Sequence, residues 1–535
     1  MAAAPVVTRA TGSGAGASPE PGSASGDPAA WPTAGIVAVG LACAAGIAFR
    51  TYTRSELWLD EALTVHLSEV PLGELSDVLR RDGAPLLYYA LLHGWMQVFG
   101  TGNQAVRLLS AAFGVATLPL LYRAGRRLGG PTVGVGALVL LATSPFAIRY
   151  GTEARMYSLV ALLVAAGWLL VANALERPTV GWLVGVGAVS GALLLTHYWA
   201  FYLLACLGVV LAVAAWRGVV ERGAAVKVLG AMAAGSALLF GPWIPNFLYQ
   251  RAHTGTPWGT APGPVEVAFT TLVDLGGGPF PEGQALAGLL AALTLLALFG
   301  RAVDGRRVEL DLWTRPGARG EALVAASTLL LAVGIGTATS SAFASRYTSV
   351  AFPLVILVAA YGLRSLADRR VVAGVLALAS LLGVIGGVRN VVFRRTSADA
   401  VVATILEKGG RPGDLVAYCP DQLGPDVTRV LPDGFNELTF PDFADPRLVD
   451  WVDYGTRMRA ADPAAFGQGL LERSGGRTIW YVWMPGYRTL GKSCERINDT
   501  LGNARPGNRQ LLDPDLTVFE RHVLWVHPAV GAAAP

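Results

Sequence analysis

From Pro32 to Val388 the chain repeats one pattern, an apolar run of about twenty residues followed by a polar break. The runs fall at 32–50, 104–123, 131–148, 155–174, 179–195, 197–216, 226–246, 283–300, 321–341, 346–364 and 371–388. At about 1.5 Å per residue each run can cross the hydrocarbon core of a bilayer, so the pattern predicts about eleven transmembrane helices. The segment from Pro85 to Phe99 differs: it is shorter, carries His93 and Gln97, and is bounded by Asp82 and Gly100. Beyond Arg389 the apolar runs shorten. Leu415 to Tyr418, Thr478 to Trp483, Leu516 to Phe519 and Val523 to Val526 predict strands, and Ala398 to Glu407 predicts a helix. Together they describe a soluble α/β domain of roughly 145 residues. Residues 1–31 are mostly Ala, Gly, Pro and Ser, too poor in large apolar side chains to offset the entropy of ordering, and predict a disordered tail. No basic stretch sits close ahead of the first run, which therefore reads as a span rather than a cleaved signal.

Composition agrees with a polytopic α-helical membrane protein. Of the 535 residues 53% are hydrophobic and 15% charged, more apolar surface than one soluble core can bury. The net charge of +4 is small and its arginines lie between apolar runs, which argues against a nucleic-acid surface. If Pro85 to Phe99 lies in the interface instead of crossing, the breaks at 123–127, 177, 217–227, 301–319 and 364–370 all face one side. Their Arg and Lys residues make that side cytoplasmic. The expected organisation is a cytoplasmic tail over 1–31, a membrane domain over 32–388 with an external loop at 51–103, and an extracytoplasmic domain over 389–535. Arg50 and Arg54 resist this assignment, because they follow the first span on the outer side. Cys419 and Cys494 fall in the outer domain, where they could form a disulfide or remain two buried thiols.

Candidate chemistry gathers at the predicted outer ends of the helices. Leu57-Trp58-Leu59-Asp60-Glu61-Ala62 places two adjacent carboxylates just beyond the first span. Such a carboxylate can act as general base toward a hydroxyl, or simply stand in the first turn of a surface helix. The same side receives Asp82-Gly83-Ala84-Pro85-Leu86-Leu87-Tyr88-Tyr89, Phe99-Gly100 with Arg107, Ser144-Pro145-Phe146, Tyr150 to Tyr157, Thr196-His197-Tyr198 and Ser345-Arg346-Tyr347. Polar and aromatic groups converging beside one acidic pair describe the rim of a lipid-facing cavity.

In these motifs the region 33–365 resembles the GT-C fold glycosyltransferases, specifically the bacterial family 39 type related to protein O-mannosyltransferases and to aminoarabinose transferases of lipid A. The resemblance rests on Asp60-Glu61, on the helix start after Pro85, and on Glu153-Ala154-Arg155-Met156-Tyr157. Relatives usually carry a basic residue before the proline, where this chain has Gly83-Ala84, so Arg80 or Arg81 would have to substitute. The resemblance implies transfer of a sugar, mannose or similar, from a polyprenyl-phosphate donor to an acceptor hydroxyl outside the cytoplasmic membrane, with inversion at the anomeric carbon. The acceptor would be a glycan, lipid or protein. It implies a catalytic role for Asp60 as base and for Glu61 beside it.

Arg155 and Arg346 are candidates for the donor phosphate, since guanidinium groups bind phosphate bidentately; each could equally be a snorkelling interfacial arginine. Glu153 could orient Arg155 or pair with Arg149. Tyr88, Tyr157, His197, Tyr198 and Tyr347, with Glu153, form the candidate substrate wall, although tyrosines at such depths also serve as belt aromatics, and His197 as a helix cap. No His/Asp cluster has metal-ligand spacing, and no cofactor is required, though the adjacent acids could recruit a divalent cation. In the outer domain Trp451, Tyr454, Trp480, Trp483 and Tyr487 could present a sugar-binding face or pack a small core. Two rivals from other classes are a transporter, which would place charges mid-helix and often show repeats, and a non-catalytic membrane scaffold of cell-envelope assembly.

Overall fold

The computed structural model describes residues 33–255, 259, 263–339, 341–487 and 489–531. The tail expected over 1–31 lies outside them. Among the described residues seven helices are long and apolar enough to cross a membrane: Thr33–Thr51, Asn103–Gly129, Tyr157–Glu176, Arg222–His253, Pro281–Phe299, Arg319–Ala338 and Arg369–Val392. Pro131–Ala142 and Pro145–Gly151 are together long and apolar enough to do so as a pair bent by 55°, and Val180–Leu194, Ala200–Trp216 and Phe352–Ser365 are shorter apolar helices. These segments match the eleven apolar runs in order and place. The protein is a multi-pass helical membrane protein.

Close approach of the helices uses small residues. A Cβ on Gly235 would meet the backbone oxygen of Gly187 at 2.2 Å, and one on Gly191 would meet the oxygen of Gly235 at 2.7 Å. Without a hydrophobic force between helices in lipid, such backbone contact supplies the packing. The bend at 143–144 is stabilised by Arg50, which is 1% exposed. Its guanidinium donates to the oxygens of Gly46, Leu141 and Ala142, each at 2.7 Å. Arg50 is therefore no topological charge but an internal cap for the broken span, which removes its objection to the expected orientation.

The loop after the first span folds into three helices, Leu59–Glu69, Leu75–Asp82 and Leu87–Phe99. The last has 13 residues, about 20 Å, too short for a hydrocarbon core of about 30 Å. It is tied sideways, with His93 Nδ1 2.9 Å from the oxygen of Ser68 and Trp95 Nε1 donating to Ala105 at 2.8 Å.

The C-terminal region forms a five-stranded sheet in the order Asn436–Thr439, Leu415–Cys419, Ile479–Trp483, Val523–His527, Arg509–Leu512. Its first three strands are parallel, and Val523–His527 runs antiparallel to both its neighbours. The expected strand at Leu516 to Phe519 is absent. Asp515 Oδ1 accepts from the backbone nitrogen of Thr517 at 2.8 Å and from its hydroxyl at 2.6 Å, a local turn that competes with strand pairing. Asn436–Thr439 and Arg509–Leu512 escape the sequence pattern because each has only four residues and sits at a sheet edge. Cys419 and Cys494 are joined in a disulfide. Of the five aromatic candidates Trp480 and Tyr454 are buried in the domain core, while Trp451, Trp483 and Tyr487 are half-buried and pack against the core.

Arg50→Met should leave the oxygens of Leu141 and Ala142 without their guanidinium donor. The expected cost is about 1–3 kcal/mol for each unsatisfied group, read as a lower melting temperature of the detergent-solubilised protein; an unchanged melt would remove Arg50 from this role.

Candidate active site

The Leu59–Glu69 helix carries both acidic residues of the first loop, and they have different surroundings. Glu61 is 0% exposed. Arg107 grips it bidentately, Nε to Oε1 at 2.7 Å and an NH2 to Oε2 at 2.6 Å. Arg395 stands 3.2 Å from Oε2, and the backbone nitrogen of Ala154 donates to Oε1 at 2.9 Å. Arg107 also donates to the oxygens of Ser55 and Glu56, and Arg395 to the oxygen and hydroxyl of Thr152. Burial alone would push the Glu61 carboxyl up, but the Arg107 and Arg395 guanidiniums outweigh it and hold the group below the ordinary carboxylate range. The stabilisation this gives is full above the ordinary value and is lost as pH falls through the depressed one.

Asp60, one residue earlier, is 17% exposed in its side chain, and its Oδ2 lies 3.3 Å from an NH2 of Arg346. Among the described residues no hydrogen-bond donor satisfies that oxygen. Arg155 approaches the same turn: its NH1 donates to the Thr64 hydroxyl at 2.8 Å, to the Tyr89 hydroxyl at 3.3 Å and to the backbone oxygen of Asp60 at 3.4 Å. Three chain regions far apart in sequence thus place one carboxylate and two guanidiniums together. An aromatic row adjoins them. Ring centroids are 5.0 Å apart for Tyr150 and Tyr157, 5.9 Å for Tyr157 and His197, and 5.3 Å for His197 and Tyr347.

Other candidates occupy supporting places. Glu153 is 1% exposed and pairs with Arg149 at 3.2 Å, with Arg395 4.0 Å away. The Tyr88 hydroxyl bonds the Ser110 hydroxyl at 2.8 Å, and Ser110 in turn donates to the backbone oxygen of Arg155 at 3.0 Å, so Tyr88 braces Arg155 from behind. His197 Nδ1 accepts from the backbone nitrogen of Trp199 at 3.1 Å, a local cap. Tyr198 turns to Gln250 and to Trp243, whose Nε1 donates to it at 3.0 Å.

Neither Arg80 nor Arg81 substitutes for the missing basic residue. Arg80 lies over the Tyr249 ring at 3.9 Å, and Arg81 pairs with Asp450 at 2.5 Å. Gly83 has φ 92°, and a Cβ there would meet the Thr254 hydroxyl at 2.6 Å, so the position excludes a side chain on backbone and steric grounds.

The sequence places Asp82 on the outer side but assigns it no role, and it gives no sign of Arg395 or Glu520. Burial pushes Asp82 up to about 6, with Arg155 opposing and Asp60 adding, which sets it within electrostatic reach of the acidic pair. Its signal was the Asp-Gly stop ahead of Pro85. Arg395 and Glu520 had none, being an interdomain arginine and a carboxylate 461 positions from its partner. Among the described residues no three His, Cys, Asp or Glu side chains gather as a metal site. An apolar cavity of about 70 Å³ lies elsewhere, among the helices containing Trp168, Ser190, Leu207 and Glu321, and none of the site residues lines it.

A family model described as dolichyl-phosphate-mannose-protein mannosyltransferase matches residues 83–244. No curated protein matches the chain in sequence. In fold the chain is similar to ArnT from Cupriavidus metallidurans bound to undecaprenyl phosphate, with TM-score 0.58 and 15% identity over 94% of this chain and 100% of that one. It is also similar to the oligosaccharyltransferase of Archaeoglobus fulgidus in the apo form, with TM-score 0.51 and 12% identity over 90% of this chain and 80% of that one. The arabinofuranosyltransferase AftD from Mycobacteria matches with TM-score 0.50 and 14% identity over 93% of this chain but 40% of that one.

Glu61→Gln should strand two buried guanidiniums. The expected loss is about 3–5 kcal/mol, seen as a lower melting temperature of the full chain, whereas an unshifted melt would show the cage to be dispensable. On this architecture, and with the matched segment, the chain has the GT-C fold of membrane glycosyltransferases.

Proposed function

We propose that this protein is a polyprenyl-phosphate-dependent glycosyltransferase that moves mannose or a similar sugar to an acceptor hydroxyl on the outer side of the cytoplasmic membrane, inverting the anomeric carbon. The observation that carries the reading is the meeting of the Asp60 carboxylate with Arg346 at 3.3 Å, with Arg155 held 3.4 Å from the backbone oxygen of the same residue, beside an aromatic row. Asp60 takes the proton from the acceptor hydroxyl. The acceptor oxygen bonds to the anomeric carbon from the face opposite the phosphate, the bond from that carbon to the phosphate oxygen breaks, and the lipid phosphate leaves with the electron pair. Arg155 and Arg346 stabilise the departing phosphate, because fixed guanidiniums in a site of low dielectric stabilise charge as it develops. Glu61 holds the geometry rather than touching substrate, since its oxygens are already committed to Arg107, Arg395 and Ala154. No cofactor is invoked: the two guanidiniums supply the cationic role.

The orientation follows from the same reading. Arginine-rich breaks face the cytoplasm, and the Cys419–Cys494 disulfide supports an oxidising compartment for the C-terminal domain. The bound undecaprenyl phosphate of the like-folded ArnT supports a lipid-phosphate donor. The family model matched over 83–244 supports mannose as the first sugar to assay.

The test is transfer of labelled sugar from a polyprenyl-phosphate donor to envelope acceptors by the purified chain. Asp60→Asn should lower turnover about 10²- to 10⁴-fold with the fold intact. Arg155→Ala should weaken binding of undecaprenyl phosphate roughly tenfold or more, the worth of a charge-assisted hydrogen bond. Full transfer by Asp60→Asn would end the assignment of the base.

A further inference from the structure

The helix that carries Asp60 begins without a local cap. Trp58 stands at its N-cap position and offers no side-chain hydrogen bond to the first turn. The missing acceptor comes from the other end of the chain. Both carboxyl oxygens of Glu520 accept from the backbone nitrogen of Leu59, at 3.1 Å and 3.0 Å. Glu520 is 4% exposed, and the ring of its neighbour Phe519 meets Trp58 edge-on at 5.2 Å.

Glu520 is itself anchored. Its backbone nitrogen donates to the oxygen of Arg395 at 2.8 Å, and Ser397 donates to its backbone oxygen at 3.3 Å. The nitrogen of Arg395 donates to the Ser55 hydroxyl at 2.8 Å, so the link after the last span grips the loop before the Asp60 helix. Behind it, Asp426 takes the Thr396 hydroxyl at 2.5 Å and lies 3.4 Å from His522. This cluster holds Ser55, Trp58 and Leu59 against the C-terminal domain. A first-turn residue held in this way has its backbone set before substrate arrives.

We propose that Glu520 is a positioning residue for the transfer reaction: by capping Leu59 it fixes the backbone from which the Asp60 carboxylate reaches toward Arg346 and the acceptor. The C-terminal domain thereby completes the active site without contributing a group that touches substrate. The consequence for catalysis rests on the reading of Asp60 as base, while the cap itself can be tested without it.

The experiment uses the full chain in detergent with Glu520→Ala and Glu520→Gln. In Glu520→Ala, amide hydrogen exchange over residues 57–66 should quicken roughly fivefold, the effect of losing a cap, while exchange over 157–176 stays as in the parent. Turnover should fall about tenfold or more, since small misplacement of a reacting group is costly, with affinity for undecaprenyl phosphate and donor KM unchanged. Glu520→Gln keeps an acceptor oxygen and should restore both readouts. If Glu520→Ala does not fold, Glu520→Asp, too short to reach Leu59, takes its place. Unchanged exchange over 57–66, or a uniform rise across the whole chain, would overturn the proposal. Quickened exchange at 57–66 in a protein whose Asp60→Asn variant keeps full turnover would leave the cap standing and remove the base instead.

Discussion

The architecture depends on one buried carboxylate with two arginines. Glu61 comes from the first loop, Arg107 from the following long span and Arg395 from the link into the C-terminal domain. Removing any one member leaves charge stranded where water cannot reach it, so the three chain regions stay together or separate together. A closed cage of this kind fixes direction more than it adds net stability, because the desolvation of its charges offsets much of their attraction. What it fixes is the register of the Leu59–Glu69 helix against the bundle.

Everything near Asp60 follows from that register. Once Glu61 is pinned, the preceding residue lies within 3.3 Å of Arg346 and its backbone oxygen within 3.4 Å of Arg155. Tyr88 and Ser110 brace the backbone of Arg155, and the C-terminal domain holds the start of the helix. Adjacent acids therefore have divided duties, one buried and saturated, the other partly open. Position along a helix makes the division: successive residues differ by about 100°, so one side chain can face the bundle while its neighbour faces the opening.

Much of this was legible in the sequence, for identifiable reasons. Lipid imposes runs of about twenty apolar residues, and all eleven could be placed because that demand leaves little freedom. The Asp60-Glu61 pair and Arg155 stood out as charged residues at the ends of apolar runs. Partnerships across long separations did not. Nothing in the local sequence of Arg395 or Glu520 tells that they meet residues 61 and 59, and Arg50 looked like a flanking charge until the broken span beside it was seen. The turn at Asp515 defeated an apolar strand pattern through one side-chain hydrogen bond that periodicity does not register.

A multi-pass bundle of GT-C fold brings a carboxylate and two guanidiniums to one site, the groups proposed above to accept the proton and to stabilise the phosphate. The measurement that tests this assignment most directly is a cryo-electron microscopy structure of the full chain with undecaprenyl phosphate. Phosphate density is expected within hydrogen-bond distance of the Arg155 and Arg346 guanidiniums, next to the Asp60 carboxylate. Phosphate held by other residues, with Asp60 remote from it, would overturn the assignment of all three groups.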